Sequence, residues 1–212
     1  MQNIPSDIAF TPAVKAIQQR KGSRHGYERM ENGRGWQTTV TPELADFLAQ
    51  LDMFYLGTAN AQGQPYIQYR GGPPGFLKVI NDHTLGFADF GGNRQYITLG
   101  DLSENPKAFI FLMDYANSQR VKLWGEARVV EDDPALLERV RDPEYPGKVE
   151  RAILFRIAAW DINCPQHIHK RFSQAQIAPV IEQLQARIAD LESQLAHAHD
   201  KNPTSPDTQP NH

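Results

Sequence analysis

From Phe54 to Val130 the chain reads as short β-prone runs broken by turn residues, and this punctuation limits the fold more than any other feature. The runs are Phe54–Ala59, Pro65–Arg70, Phe76–Ile80, Thr84–Ala88, Ala108–Met113 and Val121–Val130, with Asn60–Gly63 and Asn81-Asp82-His83 as turn-rich links. Runs this short at this spacing predict antiparallel hairpins, and closure into a barrel removes the sheet edges that would otherwise stay open. Ala152–Trp160 reads as a last strand. Pro73-Pro74 removes two backbone donors, so it must lie at a bulge, a corner or an edge. A bulge there would re-aim Arg70, whereas a plain wide loop would not.

Within this region, cationic side chains stand beside glycine-rich turns. Tyr69-Arg70-Gly71-Gly72-Pro73-Pro74-Gly75-Phe76-Leu77-Lys78 is followed by Phe87-Ala88-Asp89-Phe90-Gly91-Gly92-Asn93-Arg94-Gln95. Glycine lets backbone amides approach an anion that a Cβ would exclude. A helix expected to begin near Asn93 and run to Leu102 adds unpaired N–H groups, and Arg94 adds a planar, permanently charged fork. Tyr96, Ile97 and Leu99 would face inward or toward a partner. The combination suits a phosphorylated cofactor.

These residues also carry a family resemblance. From Met53 to about Asp133 the chain resembles the flavin-binding split-barrel proteins related to pyridoxamine 5'-phosphate oxidase, in a branch marked by Tyr-Arg-Gly-Gly-Pro-Pro-Gly-Phe. Further matches are Gly63-Gln64-Pro65-Tyr66, Lys78 before Phe87, Asn93-Arg94, Asn105-Pro106, and Arg120-Val121 leading to Gly125-Glu126-Ala127. The resemblance implies FMN as cofactor, a mainly β, six-stranded antiparallel split barrel with flanking helices, and a homodimer with flavin sites at the subunit boundary. It further implies that Arg94 and Asn93 bind the phosphate, that Arg70 and Lys78 contact the phosphate or the polar edge of the ring, and that Ala88 and Asp89 line the pocket through the backbone. Arg120 stands where the oxidase has a glutamine. Its fixed charge would strengthen a phosphate or ring-oxygen contact, or form a surface ion pair.

The chain also departs from the oxidase. Gln95 occupies the position of a second basic residue, and nothing after Trp160 resembles the oxidase's carboxy-terminal substrate-binding region with its arginine and histidine. The expectation is therefore an FMN-dependent oxidoreductase acting on a different small molecule. A non-catalytic flavin- or haem-binding, storage or sensing protein is the alternative, because one fold serves many sites. No side chain stands out as a general base.

Helices flank the barrel. Thr11–Lys21 reads as one helix, followed through Gly35 by a loop rich in glycine and charge; this segment carries Arg20, Arg24, Arg29 and Arg34, either as a solvated arm or with one reaching a flavin or partner. A second begins at Thr41, with Pro42 at the first helical position and Glu43 at the positive dipole end; Leu44, Phe47, Leu48 and Leu51 form its apolar face. Asp133-Pro134 opens a short helix through Val140.

From Ile177 the pattern becomes Ile177, Ile181, Leu184, Ile188, Leu191, Leu195 and Ala198, the alternating steps of a heptad seam. Isoleucine at a and leucine at d favour a parallel pair, with Arg187 at g opposite Glu192 at the partner's e. A helix packed on its own barrel is the alternative. The expected domains are an arm over 1–40, the barrel over 41–172, the heptad helix over 173–199 and a polar, proline-rich, disordered tail over 200–212.

Among 212 residues, 22 lysines and arginines against 25 acids leave a net charge of -3, which gives no broad drive toward nucleic acid or anionic membrane. No apolar run approaches a membrane span, and Met1–Phe10 lacks the regions of a secretory signal, so the expected location is cytoplasmic. Cys164 is the one cysteine and excludes an internal disulfide. Cys164, His167 and His169 lie too close together to converge on a metal without a further ligand, so none is expected to bind one.

Overall fold

The protein is represented by a computed structural model that describes residues 4–162 and 166–201. The chain divides after His169 into two units. The Asn163-Cys164-Pro165 motif and residues 202–212 of the expected tail lie outside the described residues.

In the first unit the strands are β1 (Met53–Ala59), β2 (Pro65–Gly71), β3 (Lys78–Asn81), β4 (Thr84–Phe90), β5 (Lys107–Asp114), β6 (Gln119–Val130) and β7 (Val149–Ile162). They form one antiparallel sheet in the order β2-β1-β5-β6-β7-β4-β3, the split barrel. Seven strands make it, where six were expected. The seventh is β7, expected from the sequence as a last strand over Ala152–Trp160; it lies between β6 and β4 and pairs with both. Two rows of ladder hydrogen bonds make it central, a placement that partners so distant in sequence do not mark locally.

Alternation along the strands sends Phe54 and Leu56 of β1, Ile110 and Leu112 of β5, Leu123 of β6 and Phe155 of β7 into one core. Each such side chain contributes roughly 1.5–3 kcal/mol on full burial. Phe54 anchors it, stacked on Phe76 at 5.4 Å and edge-on to Phe87 at 5.0 Å. Helix α3 (Pro42–Gln50) adds Leu44 and Leu48 to the core; it starts as expected, with Thr41 Oγ1 accepting from Leu44 N at 3.3 Å.

Pro73-Pro74 forms a corner and no bulge. Phe76 N donates to Pro73 O at 3.0 Å, with Pro74 and Gly75 (φ +75°) at the central positions, a type II turn. The β1–β2 register runs unshifted to its end, so Arg70 stands opposite Phe54 and keeps its strand direction. A true irregularity falls between Trp124 and Gly125 in β6, where a Cβ on Gly125 would lie 2.1 Å from Arg156 O.

Helix α1 (Pro12–Lys21) ends at Gly22, but the expected loop beyond it contains a helix, α2 (Arg24–Asn32). Arg24 explains it. Its buried guanidinium donates to Gln18 Oε1 at 2.7 Å and Glu28 Oε1 at 3.1 Å, and pairs closely with Glu31. Contacts to α1 and along one helix face thus outweigh Gly26 and the charge density. Arg24 is structural, while Arg20 and Arg29 are exposed and Arg34 lies 3.9 Å from Asp161.

Helix α4 (Ile97–Glu104) links β4 to β5, and α5 (Pro134–Val140) covers a second small core of Ala88, Val140 and Ala152. The second unit contains α6 (Gln174–Lys201), which continues past the expected end at 199. No helix of the described residues is long and apolar enough to cross a membrane.

Candidate functional site

Tyr66, Gln68 and Arg70 alternate along β2, on the face opposite the exposed Ile67 and Tyr69. Together with Asp89 and Phe90 at the end of β4, the stretch from Gly92 to Leu99, and Glu150 and Arg151 of β7, they line a recess with room for about 60 Å³ of solvent. Pockets that enclose small molecules run to roughly 300 Å³ or more. In one chain this is a shallow wall.

Its electrostatic centre is Asp89, buried at 5% exposure. Arg70 Nη1 donates to Asp89 Oδ1, and Arg151 Nη1 donates to Asp89 Oδ2 at 2.9 Å. Arg151 also reaches Glu131 at 2.8 Å and Glu150 at 3.1 Å. Burial works against the Arg151 charge, but the hydrogen bonds it donates to Asp89 and Glu131 outweigh it and raise its pKa above the ordinary arginine value. The guanidinium carbons of Arg70 and Arg151 each lie 5.7 Å from an aromatic centroid, that of Phe87 and of Tyr96 respectively. Among the described residues, Arg70 Nε is the buried side-chain nitrogen or oxygen that has no hydrogen-bond partner. A buried N–H without an acceptor is costly and calls for one.

The helix expected near Asn93 begins instead at Ile97. Asn93 Oδ1 accepts from Gln95 N at 3.2 Å in a local turn, and Arg94 (φ +60°) and Tyr96 (φ +56°) adopt left-handed conformations that interrupt any helix. Strain of this kind concentrates at sites that bind or switch. The first-turn amides offered to the recess are therefore those of Ile97, Thr98 and Leu99, and no side chain caps them. Thr98 is the buried residue of that turn, donating to Gln68 Oε1 at 2.7 Å, whereas Tyr96 and Ile97 are exposed.

Of the sequence candidates, Arg70, Asp89, Asn93 and Arg94 meet at this recess. Asp89 was expected to act through its backbone; its carboxylate is instead the hub of the ion pairs. Ala88 points the other way, into the core under α5. Lys78 opens β3 opposite Gly86 and lies outside the lining. Arg120, opposite Met113 on β5, also lies outside the lining, with β5 and β1 standing between it and the Arg70 strand.

Sequence reasoning missed Tyr66, Gln68, Glu150 and Arg151. The alternation of β2 carried the signal for the first two, since a functional Arg70 implies its neighbours two and four residues back. Arg151 reaches Asp89 from 62 positions away, with no local signal.

Residues 40–164 match the family described as Pyridoxamine 5'-phosphate oxidase, and the chain belongs to that family. No curated protein matches it. Among solved structures it is similar to HupZ of Group A Streptococcus (15% identity, 63% of this chain and 99% of that one, TM-score 0.47). It is also similar to an FMN-binding protein of Syntrophomonas wolfei (16%, 69% and 97%, 0.44) and to HutZ, the heme storage protein of Vibrio cholerae (16%, 55% and 88%, 0.38).

Proposed function

We propose that this chain is an FMN-binding flavoprotein, an oxidoreductase acting on a small molecule other than pyridoxamine phosphate, with its flavin held at the recess around Arg70 and Arg94. The observation that carries this is a recess that brings together Arg70, fixed by the buried Asp89, the exposed Arg94 and the uncapped start of α4, within a member of this family. Arg70 is held in place by Asp89, so its charge is fixed at the recess, and the exposed Arg94 is free to swing onto phosphate oxygens.

The carboxylates lining the recess, Asp89 and Glu150, are both engaged by arginines. They position cations and are not arranged to accept a proton from a substrate. FMN, when bound, supplies the electron exchange, and the protein supplies binding and orientation.

A recess this shallow needs a second wall, and the neighbouring surface suits a second copy of the chain. Tyr55, Ile67, Tyr69, Phe109 and Phe111 lie on the outward sides of β1, β2 and β5, in adjoining register positions. Ile67 and Tyr69 lie on the opposite face of β2 from Gln68 and Arg70, and β2 ends the sheet order, so a partner seated on this face would meet the recess by reaching around that edge. Lys78 and Arg120, outside the recess of one chain, would join a flavin site across such a boundary.

The test is mass spectrometry and absorbance of the small molecule released on denaturing freshly purified full-length protein. FMN at about one per chain is expected, followed by bleaching of the bound flavin with NAD(P)H and recovery with an acceptor. A Soret band, or no bound compound together with indifference to micromolar FMN, overturns the cofactor; flavin that never turns over leaves a binding or storage protein.

A further inference from the structure

We propose that α6 pairs with the α6 of a second copy of this chain as a parallel, two-stranded coiled coil. The inference stands on the second unit alone and does not depend on the flavin reading.

The helix starts deliberately. Ser173 Oγ accepts from Gln176 N at 3.3 Å while Gln176 Oε1 accepts from Ser173 N at 2.8 Å, a reciprocal capping box. From there one stripe carries Ile177, Leu184 and Leu191 at d and Ile181, Ile188 and Leu195 at a, all between 40% and 60% exposed. A single helix with this much uncovered apolar surface is marginal in water and gains its stability from what covers the stripe. Pro179, the one proline inside α6, falls at f, pointing away from the seam and near the start of the helix.

The flanking charges choose the occupant. In the parallel arrangement Arg187 at g faces Glu192 at e of the other copy, once on each side of the seam. Arg187 is exposed and pairs at 2.6 Å with Asp190 on its own helix, a solvent-exposed contact that the pair with Glu192 of the other copy would replace. In the two middle heptads, Ile181 and Ile188 at a with Leu184 and Leu191 at d favour two strands over three or four.

Disulfide trapping tests this in the full-length chain with Cys164 replaced by serine. Ile177→Cys and Leu191→Cys should each form an inter-chain disulfide with its own copy under mild oxidation, at least about tenfold faster than Ser193→Cys at f, because the bond needs Cα atoms within about 7 Å. The two seam positions lie about 21 Å apart along the helix, so an antiparallel pair can trap at most one of them. Trapping at both, slowed by Arg187→Glu and restored by adding Glu192→Arg, supports the proposal. Trapping at only one position, at neither, or at Ser193→Cys equally fast overturns it.

Discussion

Arg151 Nη1 donates to Asp89 Oδ2 at 2.9 Å across the β4–β7 pair, where the two residues stand opposite each other in register. Because Arg70 pairs with the other oxygen, one buried carboxylate holds two cationic side chains from two other strands. The recess is thus assembled by a charge, and its geometry depends on that charge staying in place.

Replacing Asp89 with alanine should therefore leave the largely buried Arg70 guanidinium without its carboxylate and Arg151 with only Glu131 and Glu150. A loss of about 3 kcal/mol in unfolding free energy is expected, at the lower end for breaking a buried ion pair because both arginines keep some solvent contact. Denaturant unfolding monitored by circular dichroism measures it, and a change within about 0.5 kcal/mol, the scale of ordinary surface substitutions, would show that the arginines are held by other partners.

Arg94→Ala acts on a different link. Arg94 is exposed and carries none of the fold's ion pairs, so stability should be unchanged while FMN affinity falls by roughly 1.5–3 kcal/mol, the worth of a hydrogen bond to a charged group. Flavin fluorescence quenching on titration gives the affinity. Wild-type affinity in the variant would remove Arg94 from the site.

Ile67→Glu places a charge in the middle of the outward aromatic face without touching the core, since Ile67 is 69% exposed. Dimer and bound flavin should be lost together, read by light scattering and by the flavin-to-protein absorbance ratio. A monomer that retains its full flavin complement would show that one chain suffices for the site.

Lys122 offers a pH readout. Its ammonium lies 5.2 Å from the Trp124 ring centroid and 5.8 Å from that of Trp36, and burial lowers its pKa below the ordinary 10.5 despite Asp161 opposite it. The folded protein then sheds this proton before the unfolded chain does, so between the folded pKa and 10.5 the Lys122 contribution makes stability rise with pH. Tryptophan emission excited at the red edge should titrate with a midpoint below 10.5, and Lys122→Met should abolish the step. Persistence of the step in that variant would assign it to another group.

Much of this architecture was legible wherever the cause is local. Thr41-Pro42-Glu43 announces its helix because the cap, the proline and the dipole all act within one turn. The strand runs were readable to within a few residues for the same reason: turn residues stop a strand where they stand. Helix α2 was not readable, since Arg24 must find Gln18 and Glu31 before the glycine-containing segment gains from coiling. The start of α4 was misread because Asn93 and the left-handed Arg94 and Tyr96 compete locally with helix, and the outcome is decided by what the loop packs against.

The residue order alone determined the family, the alternation that puts Phe54 inside and Tyr55 outside, and the heptad stripe of α6, because periodicity is a property of the chain itself. Only the tertiary structure decided that β7 runs through the middle of the sheet, that Pro73-Pro74 turns a corner, and that Asp89 holds Arg70 and Arg151 together. Those outcomes depend on pairings across dozens of residues, where loop closure and desolvation of charge set the balance and no short stretch of sequence records the result.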